Sequence, residues 1–138
     1  MNIAVVGTVD VDRIWPAIAE GINQSSTRSF DAIPAGNLYQ MCRSGNAFLI
    51  IAHDGKDIKG ASIWQFRQVD QKTVFQGLAL TGEGFSEWAP AMRDEVRRIA
   101  KGGGAVSLVD FGRPGMKKHF EEIGARARVA FVAYEETL

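Results

Sequence analysis

The stretch Thr81-Gly82-Glu83-Gly84-Phe85-Ser86 sets two glycines one residue apart, immediately ahead of a segment with helical hydrophobic spacing. That pattern suits an anion. Glycine lets a phosphate approach the backbone closely, and the first N–H groups of a helix lack internal partners at the positive end of its dipole. A plain strand-to-helix turn would use the same residues. Glu83 brings negative charge to this loop; in a dry cleft its carboxylate could titrate nearer neutrality and serve as a general base, whereas on an open surface it is a solvated side chain. From Arg93 to Arg128 the chain holds nine Lys or Arg against five Asp or Glu. That excess suits a phosphate-bearing ligand, or else forms the solvated face of two helices. Arg113 follows a strand and precedes a helix, a position from which it could hold a carboxylate or a phosphate.

Other reactive groups are sparse. The chain has one cysteine, Cys42, and two histidines, His53 and His119, far apart in sequence. No internal disulfide and no zinc site can be built from them. Cys42 reads as a small buried hydrophobe rather than a nucleophile, because no motif sets a histidine and an acid beside it. His53 closes an apolar run. Ile3-Ala4-Val5-Val6-Gly7 looks like the first strand of a dinucleotide-binding fold, but no glycine-rich turn follows, and Asp10 and Asp12 would repel a pyrophosphate. Sixteen basic and sixteen acidic residues cancel, which argues against nucleic acid or an anionic membrane as partner. No apolar stretch approaches the roughly 20 residues that span a bilayer, and no signal-peptide pattern opens the chain. A cytoplasmic protein of one domain, residues 1–138, is expected.

The elements that must position these groups can be read from periodicity. Asn2–Val6 is a strand rich in β-branched residues. Asp12 can cap a helix carrying Ile14, Trp15, Ile18 and Ile22 on one face, with Pro16 near its first turn. Gln24–Ser29 is polar and reads as a loop. Asn37 to about Arg43 forms a second helix, broken by Ser44-Gly45-Asn46. Ala47–His53, Ile58–Val69 and Thr73–Leu80 read as a three-strand meander turning at Asp54–Asp57 and Asp70–Lys72, with a bulge marked by Gly60. Trp88, Met92, Val96 and Ile99 give the clearest amphipathic helix, Ser86–Lys101, which Gly102-Gly103-Gly104 ends. Ala105–Phe111 is a strand, Pro114 starts a short helix burying Met116, Phe120 and Ile123, and Ala127–Tyr134 is a last strand. The strand–helix–strand from Thr73 to Phe111 requires a parallel crossover.

This order resembles the GNAT N-acetyltransferase superfamily over nearly the whole chain. Trp15-Pro16 in the first helix, the hairpin residues Ile58-Lys59-Gly60-Ala61 and the ending Phe120-Glu121-Glu122-Ile123-Gly124 fall where that family has counterparts. The Trp-Pro pair and Trp88 also resemble compact bacteriophage-encoded versions of the fold. The expected fold is α/β (α+β): a mixed, mostly antiparallel central sheet with one parallel splayed strand pair and helices on both faces.

The resemblance implies an acetyl-CoA-dependent N-acetyltransferase acting on an unidentified amine. Acetyl-CoA would lie between the splayed strands, held by Leu80, Thr81, Gly82, Gly84, Phe85, Ser86 and Arg113, with a backbone N–H near Leu80 polarising the thioester carbonyl. The family's loop reads Arg or Gln, two residues, Gly, any residue, then Gly or Ala; Gly82 and Gly84 stand about three residues early when counted back from Gly102. Many members carry a Tyr in the fourth helix that protonates the departing thiolate, and Phe120 occupies that position. His119 and Tyr134 are the substitutes for an acid, with Glu83 as base, although each also fits a purely structural or solvated role. His119, adjacent on the helix, would point about 100° away from Phe120. A CoA-type ligand and an amine acceptor are the expected partners; the oligomeric state is left open, a homodimer included. The rival reading is a non-catalytic GNAT-like binding or structural protein, because fold does not imply function.

Overall fold

A computed structural model of the chain describes residues 1–26, 33–110, 116–128, 130 and 134–138. β1 (Asn2–Val6) leads through a 3-10 turn at Thr8–Asp10 into α1 (Val11–Ser26), followed by α2 (Ala35–Ser44). β2 (Phe48–His53), β3 (Ile58–Val69) and β4 (Lys72–Gly82) form the meander; α3 (Phe85–Gly102), β5 (Ser107–Asp110) and α4 (Met116–Glu122) complete the order. The five strands lie in sequence order in one sheet, antiparallel from β1 to β4, with β5 parallel to β4. Hairpins join adjacent antiparallel strands with short turns, whereas the parallel pair needs α3 as its crossover.

The sheet is buried on both faces, which is why β2 is an almost unbroken apolar run. One face carries a core of Val11, Ile18 and Ile22 from α1 with Leu38 and Cys42 from α2, packed on Leu49, Ile51, Ala61 and Ile63. The other carries Trp88, Met92 and Val96 from α3 on Ile50, Trp64 and Phe75. The apolar stripe of α3 therefore faces the sheet, as its spacing requires.

Several boundaries differ from the sequence reading. α1 begins at Val11, so Asp12 lies in its first turn instead of capping it, and Pro16 sits inside the helix. Pro16 leaves the Asp12 carbonyl without a helical donor. The Asp12 carboxylate instead accepts from Tyr39 and pairs with Arg43 at 3.0 Å, tying α1 to α2. Gln24 to Ser26 is helical, and 27–32 lie outside the described residues. The second hairpin turns on Asp70 and Gln71 alone, both at positive φ (48° and 66°), so β4 starts at Lys72. Lys59 is an extra residue in β3 opposite the Ala52/His53 step, which places the expected bulge beside Gly60. Of the last strand expected at Ala127–Tyr134, the residues 127, 128, 130 and 134 have no regular structure, and the others lie outside the described set. A strand exists only where a neighbour supplies its hydrogen bonds, and none of those residues joins the ladder beside β5.

Candidate functional site

Among the described residues, β4 and β5 pair at Val74, Phe75, Gln76 and Gly77 opposite Ser107, Leu108, Val109 and Asp110. β4 runs on to Gly82, still paired to β3, and its far edge from Leu78 to Gly82 has no strand partner among the described residues. A second irregularity sits at the start of this stretch: Trp64 pairs with Gly77 and Ile63 with Ala79, leaving Leu78 as the extra residue of a bulge. Bulges re-aim backbone groups. The Leu80 N–H, on this edge, meets the hydroxyl of Ser25 at a long 3.4 Å.

The end of α1 lies against β4. Gly21 is the point of contact, since a β-carbon there would stand 2.2 Å from Thr81 Oγ1. A cleft of about 230 Å³ remains between Ala17, Ile18 and Gly21 of α1 and the residues Ile58–Ala61 and Thr81–Glu83.

The structure redraws the glycine-rich stretch. Leu80, Thr81 and Gly82 belong to β4, and only Glu83 and Gly84 connect it to α3. Gly84 is the N-cap, in the left-handed region at φ 62°, and Phe85 and Ser86 are the first helical residues. Gly82 serves packing: at φ 146°, a β-carbon would lie 2.4 Å from the Lys59 carbonyl and 2.8 Å from the Trp88 ring. Gly60, across the ladder, is likewise closed over by Trp88, whose ring would lie 2.4 Å from a β-carbon placed there. The buried indole donates from Nε1 to the Glu83 carbonyl at 2.7 Å, and the Glu83 N–H donates to the Lys59 carbonyl at 3.0 Å. The backbone of this connection is thus fixed from both sides.

Gly84, the N-cap of α3, makes no side-chain capping hydrogen bond. The Glu87 carboxylate, in the first turn, lies 3.5 Å from where a Gly84 β-carbon would be, and Glu83 is exposed beside it. Two carboxylates therefore flank the helix start, with Lys59 on the facing strand.

The other expected site residues are spread out. Tyr134 is 92% exposed and lies in no strand. His119 is on α4, but its side chain lies outside the described set, as does Arg113. Phe120 is partly buried on α4, with the Arg93 guanidinium 5.4 Å from its ring centre. Gly124, at φ 73°, closes α4 as expected. Cys42 is buried, and desolvation pushes its thiol up to about 11. Because the thiolate is the reactive form, a disulfide reagent at neutral pH should leave native Cys42 almost unlabelled and label it fully in denaturant. Rapid native labelling would contradict this burial.

Sequence reasoning missed a charged pair between α3 and β5. Arg93 of α3, 10% exposed, binds the Asp110 carboxylate at 3.2 Å, and Asp110 is 24% exposed. Burial pushes the Asp110 carboxyl above its ordinary range, with Arg93 pulling it back only in part. The Arg93 Nε–H is buried without a partner among the described residues. The one acidic residue of β5, opposite a glycine, was the available signal. Among the described residues, no group of His, Cys, Asp and Glu could hold a metal ion, and no helix is long and apolar enough to cross a membrane.

No protein-family model matches the chain, and no curated protein matches it in sequence. Solved structures do. The chain is similar to the ribosomal-protein-alanine N-acetyltransferase of Brucella melitensis biovar Abortus 2308, with 18% identity, a TM-score of 0.70 and all of both chains covered. It is similar to an aminoglycoside acetyltransferase from an uncultured soil metagenomic sample, solved with sisomicin, at 12% identity and a TM-score of 0.71, over 99% of this chain and 95% of that one. A probable acetyltransferase matches at 16% identity and a TM-score of 0.73, over 100% and 98% of the two chains. With its mixed five-strand sheet, parallel β4–β5 pair and flanking helices, the chain has the GNAT fold.

Proposed function

We propose that the protein is an acetyl-CoA-dependent N-acetyltransferase acting on an amine. The observation that carries this reading is the edge of β4 from Leu78 to Gly82, which has no strand partner among the described residues and leads through Glu83 and the N-cap Gly84 into α3. An extended thioester arm pairs with such an edge as an added strand would, and its phosphates then reach the α3 N-terminus. The Leu80 N–H faces that edge, and the Ser25 hydroxyl at 3.4 Å is weak competition for it. Preorganised backbone N–H groups of this kind stabilise the charge that develops on a carbonyl oxygen under attack. The cleft beside Thr81 and Gly82, bounded by α1, is the space for the acceptor. Positioning the amine against the thioester supplies much of the rate.

A second reading, a non-catalytic binding module on the same fold, is favoured by Glu83 and Glu87 at the phosphate end and by Phe120 in place of a proton donor. Thermal denaturation separates the two. Acetyl-CoA at a hundred times its dissociation constant should stabilise the chain by about 2.7 kcal/mol. Gly84→Asp should remove that shift by adding a third carboxylate at the helix start. No shift at millimolar acetyl-CoA or CoA would leave the binding module as the correct reading.

A further inference from the structure

Two clefts lie along one side of α1. Ala17, Ile18 and Gly21 line the acceptor cleft of about 230 Å³, and Arg13 and Ile14 line a second of about 390 Å³. Residues three and four apart are neighbours on a helix, so these five form one stripe. Ile58 is a wall of both clefts, and among the described residues the two together make a groove between α1 and the sheet. From Arg13 to Gly21 it runs about 12 Å at the helical rise, the length of roughly four extended residues. It stops where α1 touches β4, since a β-carbon on Gly21 would stand 2.2 Å from Thr81 Oγ1. At its other end Ala4, Val6 and Ile51 supply an apolar floor, with Asp10, Arg13, Lys56 and Asp57 around it.

Resting on the acetyltransferase reading, we infer that the acceptor is the free N-terminus of a polypeptide. Its α-amine lies at the Thr81–Gly82 end, and the residues behind it extend along α1 into the second cleft. Three features select this class. A small amine would fill the first cleft and leave the second unused. A groove that stops at one end admits a chain end, whereas a mid-chain lysine needs room for backbone on both sides. Acids and bases are also balanced along it: Glu83 with Lys59 near the stop, Asp10 and Asp57 with Arg13 and Lys56 beyond. A polyamine calls for acids alone and a phosphate-bearing chain for bases alone, while a mixed-charge rim over an apolar floor suits side chains of varied kind. In the transfer the C–N bond forms as the C–S bond breaks, the electron pair leaves with sulfur, and the proton lost by nitrogen ends on it. The products are an Nα-acetyl chain and a thiol.

To test this, the full chain is given acetyl-CoA with two mixed-sequence libraries bearing free N-termini, one of dipeptides and one of hexapeptides, and mass spectrometry locates the acetyl group. Hexapeptides should be acetylated on the N-terminal nitrogen with a kcat/KM about tenfold or more above that of dipeptides. Arg13→Trp, at a side chain that is 72% exposed, narrows the second cleft and should erase this preference for length. Lys56→Trp serves if that variant does not fold, and melting curves establish folding for both. Equal rates for the two libraries, acetyl groups only on lysine side chains, no acetylated peptide, or a length preference that survives in the folded variant overturns the assignment. The thermal shift with acetyl-CoA then still keeps the acetyltransferase reading standing. Absence of that shift in wild type overturns both.

Discussion

Trp88→Ala is expected to cost about 3–5 kcal/mol of stability, the usual range for emptying a large aromatic from a core. Trp88 is 1% exposed and closes over two glycines on adjacent strands, Gly60 and Gly82. Its loss also removes the donor held by the Glu83 carbonyl at 2.7 Å. The two glycines should then respond differently. The close contacts of a Gly60 β-carbon are with the Trp88 ring, at 2.4 to 2.7 Å. Gly60→Ala should therefore be severe in wild type and much milder in the Trp88→Ala background, a coupling that a double-mutant cycle measures. A Gly82 β-carbon meets the Lys59 carbonyl at 2.4 Å, from a φ of 146°. Gly82→Ala should stay severe in both backgrounds. Urea unfolding of the set checks this, and equal rescue of both glycine variants would show that the ring is not what constrains Gly60.

Arg93→Met should destabilise the fold near neutral pH, because it removes the ionic partner of a partly buried carboxylate. The loss depends on pH in a definite direction. An acid whose folded pKa lies above its unfolded value binds more protons when folded, so stability falls as pH rises from the ordinary Asp value, about 3.9, through the raised one. Asp110 already leans this way in wild type, burial being the larger cause and Arg93 the opposing one. Without Arg93 the folded value rises further. The variant should therefore be nearer wild type at pH 4 than at pH 7, and adding Asp110→Asn should recover much of the deficit at pH 7. A deficit independent of pH would place the cost in lost packing against Trp64 and Phe120 instead.

Much of the fold was legible in the sequence because hydrophobic period reports which face of an element is covered. Trp88, Met92 and Val96 are buried on α3, and Ile18 and Ile22 on α1, as their spacing requires. Gly45, Gly124 and the first hairpin turn stopped elements where local chemistry said they should. Boundaries were less legible where tertiary partners intervene. Asp12 has the chemistry of a cap, yet Tyr39 and Arg43 from α2 engage it, and the helix starts earlier.

The site was legible in part. The sequence by itself determined that two glycines precede a long amphipathic helix, that a parallel crossover spans them, and that Phe120 cannot give up a proton. These are properties of residue type and local order, and they survive folding unchanged. Only the tertiary structure decided that Gly82 accommodates an indole while Gly84 starts the helix, since glycine's two uses look alike until the neighbour is known. Only it placed Asp110 on Arg93, 17 residues apart in sequence, where α3 packs beside β5. Pair distances across a sheet follow from register, and register is set by the packing of the whole core.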